Sequence, residues 1–343
     1  MANERMSLAS GSAGAAATSS AGGEEVSRPA PGGQTPDQGR EDRGEAPPSR
    51  PRASTDWWLF LAPSFIWGTT WFAIKFQLGV VAPELSVAYR FILAALLLLG
   101  WCALRGLGLR FGLRAHASFA LLGVLQYALN YVLVYRSEEV LTSGLVALVF
   151  GLLVVLNLLG ARVLFGTPVK APVLAGVAIG LLGVALVLWP DVARLGARPG
   201  QSWGVALALL GTVSASAGNL WSQRLYRGGT PIVPSTAWSM LYGALAVTLY
   251  GAIAGLPFAF DTSAGYLLSL GYLAVFGSIV AFIAYLTLLR RIGAGRSGYV
   301  AVLMPVLAMA TSTLFEGYRW TPIAVVGMAM VVAGNVLVLQ RST

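Results

Sequence analysis

A chain of 343 residues that is 56% hydrophobic and only 11% charged, with a mean hydropathy of +0.71, is too apolar for a soluble enzyme, which carries about 25% charged residues. Its formal net charge of +9 would suit a nucleic-acid binder, but the basic residues stand singly or in small groups between apolar segments, which argues against that partner. The single cysteine, Cys102, lies inside an apolar run and builds no intrachain disulfide or cysteine-based metal site.

Residues 1–55 are rich in Gly, Ala, Ser, Pro and mixed charges and nearly lack bulky apolar side chains. Such a segment buries too little surface to offset its ordering entropy, so a disordered cytoplasmic tail is expected, and deletion of 1–52 is expected to leave function intact. From Trp57 onward ten apolar segments follow, at roughly 57–79, 83–104, 117–136, 140–161, 171–190, 203–222, 235–254, 266–289, 297–315 and 321–340. A span needs about 20 residues. The first segment has to act as its own insertion signal, since the tail has no signal-peptide core. Pro83, Pro172, Pro234 and Pro322 open or just precede spans, and Pro305 lies in the middle of the ninth. With the N-terminus inside, the loops and span ends carry thirteen Lys and Arg on the cytoplasmic side against four outside. The positive-inside rule then predicts a multi-pass protein of the cell membrane with both termini cytoplasmic.

The chain also repeats itself. GVAIGLLGVALVL (176–188) matches GMAMVVAGNVLVL (327–339) at six of thirteen positions, TSGLVAL (142–148) resembles RSGYVAV (296–302), and Pro83 has a counterpart in Pro234. All these offsets lie near 150 residues, so the unit is five helices, over 56–190 and 191–343. Five is odd, and the second copy therefore enters the membrane from the opposite side. The expected fold is an all-α integral membrane protein of ten transmembrane helices in two inverted five-helix repeats, an arrangement that in secondary transporters places the substrate near the midplane between the repeats.

IWGTTWFAIK (66–75), APELSVAYRFILAALLLL (82–99) and the stretch 276–339, with its Gly-Ala-Gly-Arg entry, Met304-Pro305, Glu316 and the Gly327/Gly334 pair, are similar to the signature of the EamA family in the drug/metabolite transporter superfamily. The resemblance covers about 57–340. It implies a ten-helix transporter of small molecules and leans toward metabolite export. One departure stands out: family repeats carry a proline in the fourth helix and a glutamate after it, whereas this fourth helix holds Asn157 and Arg162 instead.

Lys75 closes the first helix about one turn below the outer surface, and Arg90 lies roughly two turns deep in the second. Two readings stay open. The cations border an outer vestibule and bind an anionic group such as a carboxylate, or Lys75 snorkels to headgroups while Arg90 bonds helix-end carbonyls or pairs with Glu84. Trp67 and Trp71 share one helix face with Thr70 beside them. Tyr89, Tyr127, Tyr131, Tyr285 and Tyr299 offer further amphipathic rings, and Asn130, Asn157, Asn219 and Asn335 are mid-span amides that line a cavity or serve as interhelical glue. The candidate substrate-binding set is Trp67, Thr70, Trp71, Lys75, Tyr89, Arg90, Asn130, Asn157, Asn219 and Tyr285. Glu84, Glu138, Glu139, Asp191, Asp261 and Glu316 all fall near span ends, which leaves an intramembrane carboxylate relay without a candidate and favours facilitated diffusion or exchange. No catalytic set, metal site or cofactor is expected. Gly176, Gly180 and Gly183 form a small-residue stripe, for packing within a monomer or between copies in a homodimer.

The function expected is secondary transport of a small metabolite or amphipathic organic solute, an amino acid or related compound among them, exported by alternating access, with membrane lipids as the surroundings. The alternative is a multi-span protein with a structural or sensory role and no transport. A membrane-embedded enzyme is disfavoured because paired aspartates, Ser/His sets and His clusters are missing from the sequence.

Overall fold

The computed structural model describes residues 53–168, 171–192, 200–297 and 300–341. Residues 1–52 of the expected tail, Lys170, Tyr299 and the side chains of Asp191, Pro305 and Asn335 lie outside the described residues. Among the described residues every regular element is helical. In chain order they are α1 (Ala53–Lys75), α2 (Pro83–Leu104), α3 (Leu113–Glu138), α4 (Ser143–Phe165), α5 (Ala171–Val192), α6 (Gln201–Arg227), α7 (Ile232–Ile253), α8 (264–297), α9 (Val300–Phe315) and α10 (Pro322–Arg341). Six of these, α2, α3, α4, α6, α7 and α8, are long and apolar enough to cross a membrane, and α5, α9 and α10 contain shorter apolar stretches. α1 opens at Ala53, inside the stretch assigned to the tail.

Local chemistry explains several boundaries. α2 starts on Pro83, whose fixed φ and missing N–H suit the first helical position. α4 ends on Gly166 in the left-handed conformation (φ 66°), which a side chain would resist. Two helices are not regular throughout: α3 widens to a π-helix over Gly123–Leu129 and α8 over Leu273–Val280. Such widening frees backbone groups and is common at functional sites.

The helices pair as α5 with α10, α2 with α7, α4 with α9, α1 with α8 and α9, and α6 with α3 and α4. Exchanging each helix of the first five for its counterpart in the second turns this list into itself. Small residues set the closest approaches. A Cβ on Gly183 would meet Gly327 O at 2.5 Å, one on Gly334 would meet Gly176 O at 2.5 Å, and one on Gly123 would meet Ser239 O at 2.4 Å. The glycines of α5 are therefore used inside the chain, against α10. Bulky apolar side chains ring the outside, among them Leu104, Val163, Ile253 and Leu268, each at least 74% exposed in the isolated chain, as a lipid-facing surface requires.

Candidate functional site

α1, α3, α4, α6, α8 and α9 surround a pocket whose empty space, open solvent included, is ≈ 620 Å³. α1 contributes Trp67, Thr70, Trp71 and Ile74, which at spacings of three and four residues form one face of the helix. From α6 come Ala215 and Asn219, and from α3 Gln126, Asn130, Tyr131 and Val134. Phe150 and Leu153 of α4, Phe282, Tyr285 and Ser297 of α8, and Val300 and Met304 of α9 close the wall. Counterparts in the two halves face each other here: Trp67 and Ala215, and Trp71 and Asn219, stand 148 residues apart (215 − 67 and 219 − 71).

The aromatic wall is fixed by edge contacts. Trp67 lies 5.0 Å from Phe282 and 5.2 Å from Tyr285, ring centre to ring centre, and Trp71 lies 5.1 Å from Phe150. Trp67 Nε1 donates to Gly277 O at 3.0 Å, so the π-helical stretch of α8 supplies the acceptor that orients this indole.

The polar lining is less complete. Trp71 Nε1, Gln126 Oε1, Asn130 Oδ1 and both amide atoms of Asn219 are buried without a hydrogen-bond partner. Each such group costs roughly 1–3 kcal/mol, and their convergence on one cavity is what a site for a ligand carrying both donors and acceptors requires. Among the described residues, no Lys, Arg, Asp or Glu lines it.

Six of the ten expected residues thus meet in the cavity: Trp67, Thr70, Trp71, Asn130, Asn219 and Tyr285. The structure does not bring Lys75, Tyr89, Arg90 or Asn157 to its wall. Lys75 Nζ donates to the main-chain oxygens of Glu138 and Leu141, at 2.5 and 2.6 Å, and so ties the end of α1 to the α3–α4 connection. Tyr89 Oη donates to Ala259 O at 3.0 Å. Arg90 is fully buried between α2, α3 and α8: its Nε donates to Ser278 Oγ (2.9 Å), its Nη1 to Tyr135 Oη (3.4 Å), and its guanidinium lies 4.5 Å from the Tyr131 ring centre. Asn157 is buried behind Tyr285, beside that hydroxyl. Glu84 pairs not with Arg90 but with Arg136, at 2.8 and 3.0 Å.

Gln126 and Ser297 are polar lining residues that the sequence reading missed; for Gln126 the signal was the i, i+4 spacing to Asn130. Glu138 adds a finding of another kind. It lies at a span end, as expected, but is only 1% exposed, with Lys75 of α1 bound to its main-chain oxygen.

Residues 55–189 and 202–340 each match the model of the EamA-like transporter family. The chain is similar to the "Uncharacterized inner membrane transporter YedA" of Escherichia coli, with 30% identity over 275 residues, 80% of this chain and 87% of that one. It is also similar to the E. coli protein named "Probable amino-acid metabolite efflux pump", 27% identical over 292 residues, 80% and 92% of the two chains. One crystal structure superposes with a TM-score of 0.64 at 20% identity, over 84% of this chain and 98% of that chain, a likeness of fold. The helices that wall the cavity fall within the two matched segments, and the chain belongs to the EamA-like transporter family of membrane transporters.

Proposed function

We propose that the chain is a secondary transporter that binds a small amphipathic organic solute in the α1/α3/α6/α8 cavity and exports it, an amino acid or related compound being the leading class. The observation that carries this is the cavity itself: aromatic walls, no charged lining among the described residues, and unpartnered amide and indole groups from both halves. Such a lining desolvates an apolar side chain and offers neutral donors to a carboxylate and neutral acceptors to an amine. The efflux-pump name of one relative points the same way. The self-exchanging helix pairing and the two family matches support two inverted five-helix repeats, and repeats of that kind work by alternating access around a central site.

The test is flux into and out of liposomes holding the purified protein, with amino acids, organic acids and neutral or cationic amphiphiles supplied in parallel. Saturable movement of a zwitterionic or neutral amphiphile, slowed about tenfold by Asn219→Leu through the loss of one or two hydrogen bonds, is the expected result. Absence of flux for every class would overturn transport in favour of a structural or sensory role.

A further inference from the structure

Besides the surface residue Glu139, the carboxyls of Glu84, Glu138 and Glu316 lie at the end of the bundle where α1 stops, and two of these three are fully engaged. Glu84 is held by both arms of Arg136. Glu316, just past α9, accepts from Ser143 N (3.1 Å) and Ser143 Oγ (2.7 Å) and from the Ser312 hydroxyl. The third, Glu138, is as deeply buried as Glu84, yet neither of its oxygens has a hydrogen-bond partner. The nearby cations, Lys75 and Arg90 among them, make their hydrogen bonds to other groups. Lys75 of α1 donates to main-chain oxygens, one of them Glu138's own. Arg90 of α2 is bound to Ser278 and Tyr135 through Nε and Nη1, its Nη2 having no hydrogen-bond partner, and Arg136, on the same helix as Glu138, turns to Glu84 and Glu139. Glu316 is a second carboxyl close enough to act on it, and Tyr135 is one turn away on α3.

Glu138 also stands in a telling position. Val134, one turn earlier on α3, lines the cavity, and Ile74, the neighbour of Lys75, lines it from α1. Just beyond, Glu139 is on the surface. The carboxyl therefore sits in the plug between the cavity and one membrane face. Burying an ionised carboxylate without hydrogen bonds costs several kcal/mol, whereas the neutral acid costs far less.

We propose that Glu138 is a proton-binding site of the transport cycle: ionised and hydrated when the α1/α3/α9 end is open, and protonated when that end packs shut. The step is the uptake of one proton by the carboxylate on closing and its release on opening, with no other bond made or broken. It rests on the transporter reading above and replaces uncoupled diffusion with a cycle in which closure of one end consumes a proton. Lys75 is the cation placed to receive the carboxylate once the end opens and its bonds to Glu138 O and Leu141 O are released.

The first test needs no transported solute. Infrared difference spectra of the protein in lipid, taken through a pH titration, should show a protonated-carboxyl band that Glu138→Gln lacks and that Glu138→Asp retains at a shifted midpoint. Identical carboxyl bands in the parent and in a monodisperse Glu138→Gln protein would overturn the assignment. In the second, a labelled amino-acid panel is followed in proteoliposomes at equal pH on both sides. An equilibrium that takes up one proton moves about tenfold per pH unit, so the parent's rate should vary with pH and that of Glu138→Gln should stay flat. A Glu138→Gln protein that keeps the parent's pH profile would overturn the proposal. If no panel member moves through either protein, it is the solute reading that fails, and the infrared titration still decides the proton site.

Discussion

Gly218 shows how one residue without a side chain positions another that has one. A Cβ at Gly218 would stand 2.1 Å from Gln126 Oε1, an overlap that only movement of the glutamine can relieve. Gly218→Ala should therefore leave the helices intact but push the Gln126 amide out of place, weakening solute binding by about 1–2 kcal/mol, roughly 5- to 30-fold. Competition binding or half-saturation of flux would measure it. Gly218→Ala added to Gln126→Ala should cost less than Gly218→Ala alone, since the amide is gone and only the Cβ of residue 126, 3.0 Å from the new methyl group, remains close. A full additional loss in the double variant would mean that Gly218 matters for another reason. Arg90 makes the opposite case, a charge that binds protein rather than solute. Its Ser278 bond and its stacking on Tyr131 together amount to about 2–4 kcal/mol. Arg90→Gln should accordingly lower the thermal midpoint in detergent while leaving the order of preference among solutes unchanged. Selective loss of anionic or zwitterionic solutes, with stability untouched, would return Arg90 to the binding site.

At the scale of the helices, glycine position decides whether a methyl group is harmless. A Cβ on Gly327 would meet Gly183 O at 2.6 Å and Val187 N at 2.8 Å, backbone atoms that cannot step aside, while one on Gly180 finds nothing within 4 Å. Gly327→Ala should thus cost about 1–3 kcal/mol by forcing α10 off α5, and Gly180→Ala should fall within about 0.5 kcal/mol of the parent. Thermal unfolding of the two variants side by side checks the pair; equal midpoints would show that the α5–α10 contact is looser than drawn. The repeat GVAIGLLGVALVL/GMAMVVAGNVLVL was conspicuous in the sequence because this close contact permits few residue types on either helix. The all-helical, membrane-spanning character was legible for a related reason: hydropathy over a window of about 20 residues survives almost any local detail. What hydropathy does not contain is the backbone's departure from α geometry. The π-helical stretches at Gly123–Leu129 and Leu273–Val280 read as ordinary apolar helix, and without them the acceptor for Trp67 could not be anticipated.

Across the whole molecule, the parts of the site that could be read in advance were those that depend on helical phase. Trp67, Thr70 and Trp71 share a face by spacing alone, and Asn219 was marked by its alignment with Trp71. The fate of Lys75 and Arg90 was not legible, because a charge inside an apolar run looks the same whether it meets a solute or a carbonyl. The repeat gives Lys75 a further meaning. Its counterpart 148 residues on is Gln223, and Gln223 Oε1 accepts from Ala294 N at 2.8 Å, at the end of α8. Lys75 bonds the end of α3 in the opposite sense, as donor to the main-chain oxygen of Glu138. The two ties lie at opposite ends of the bundle: Trp221, two residues from Gln223, donates to Ser118 O near the start of α3, while Lys75 holds Glu138 at its finish. Twenty residues of helix separate Ser118 from Glu138, about 30 Å at ~1.5 Å per residue. On the alternating-access reading proposed above, each tie, the one charged and the other neutral, would keep one end shut. Releasing either should favour the state open at that end, and the two releases should act in opposite directions. In a Cys102→Ser background with Ala215→Cys as a reporter on the cavity wall, Lys75→Ala should speed labelling by a membrane-impermeant thiol reagent from one side only, by roughly tenfold for the loss of charge-assisted bonds. Gln223→Ala should speed it from the other side, and by less. Acceleration from the same side by both substitutions would show that these residues do not guard opposite doors, and the alternating-access reading would then lose its structural footing.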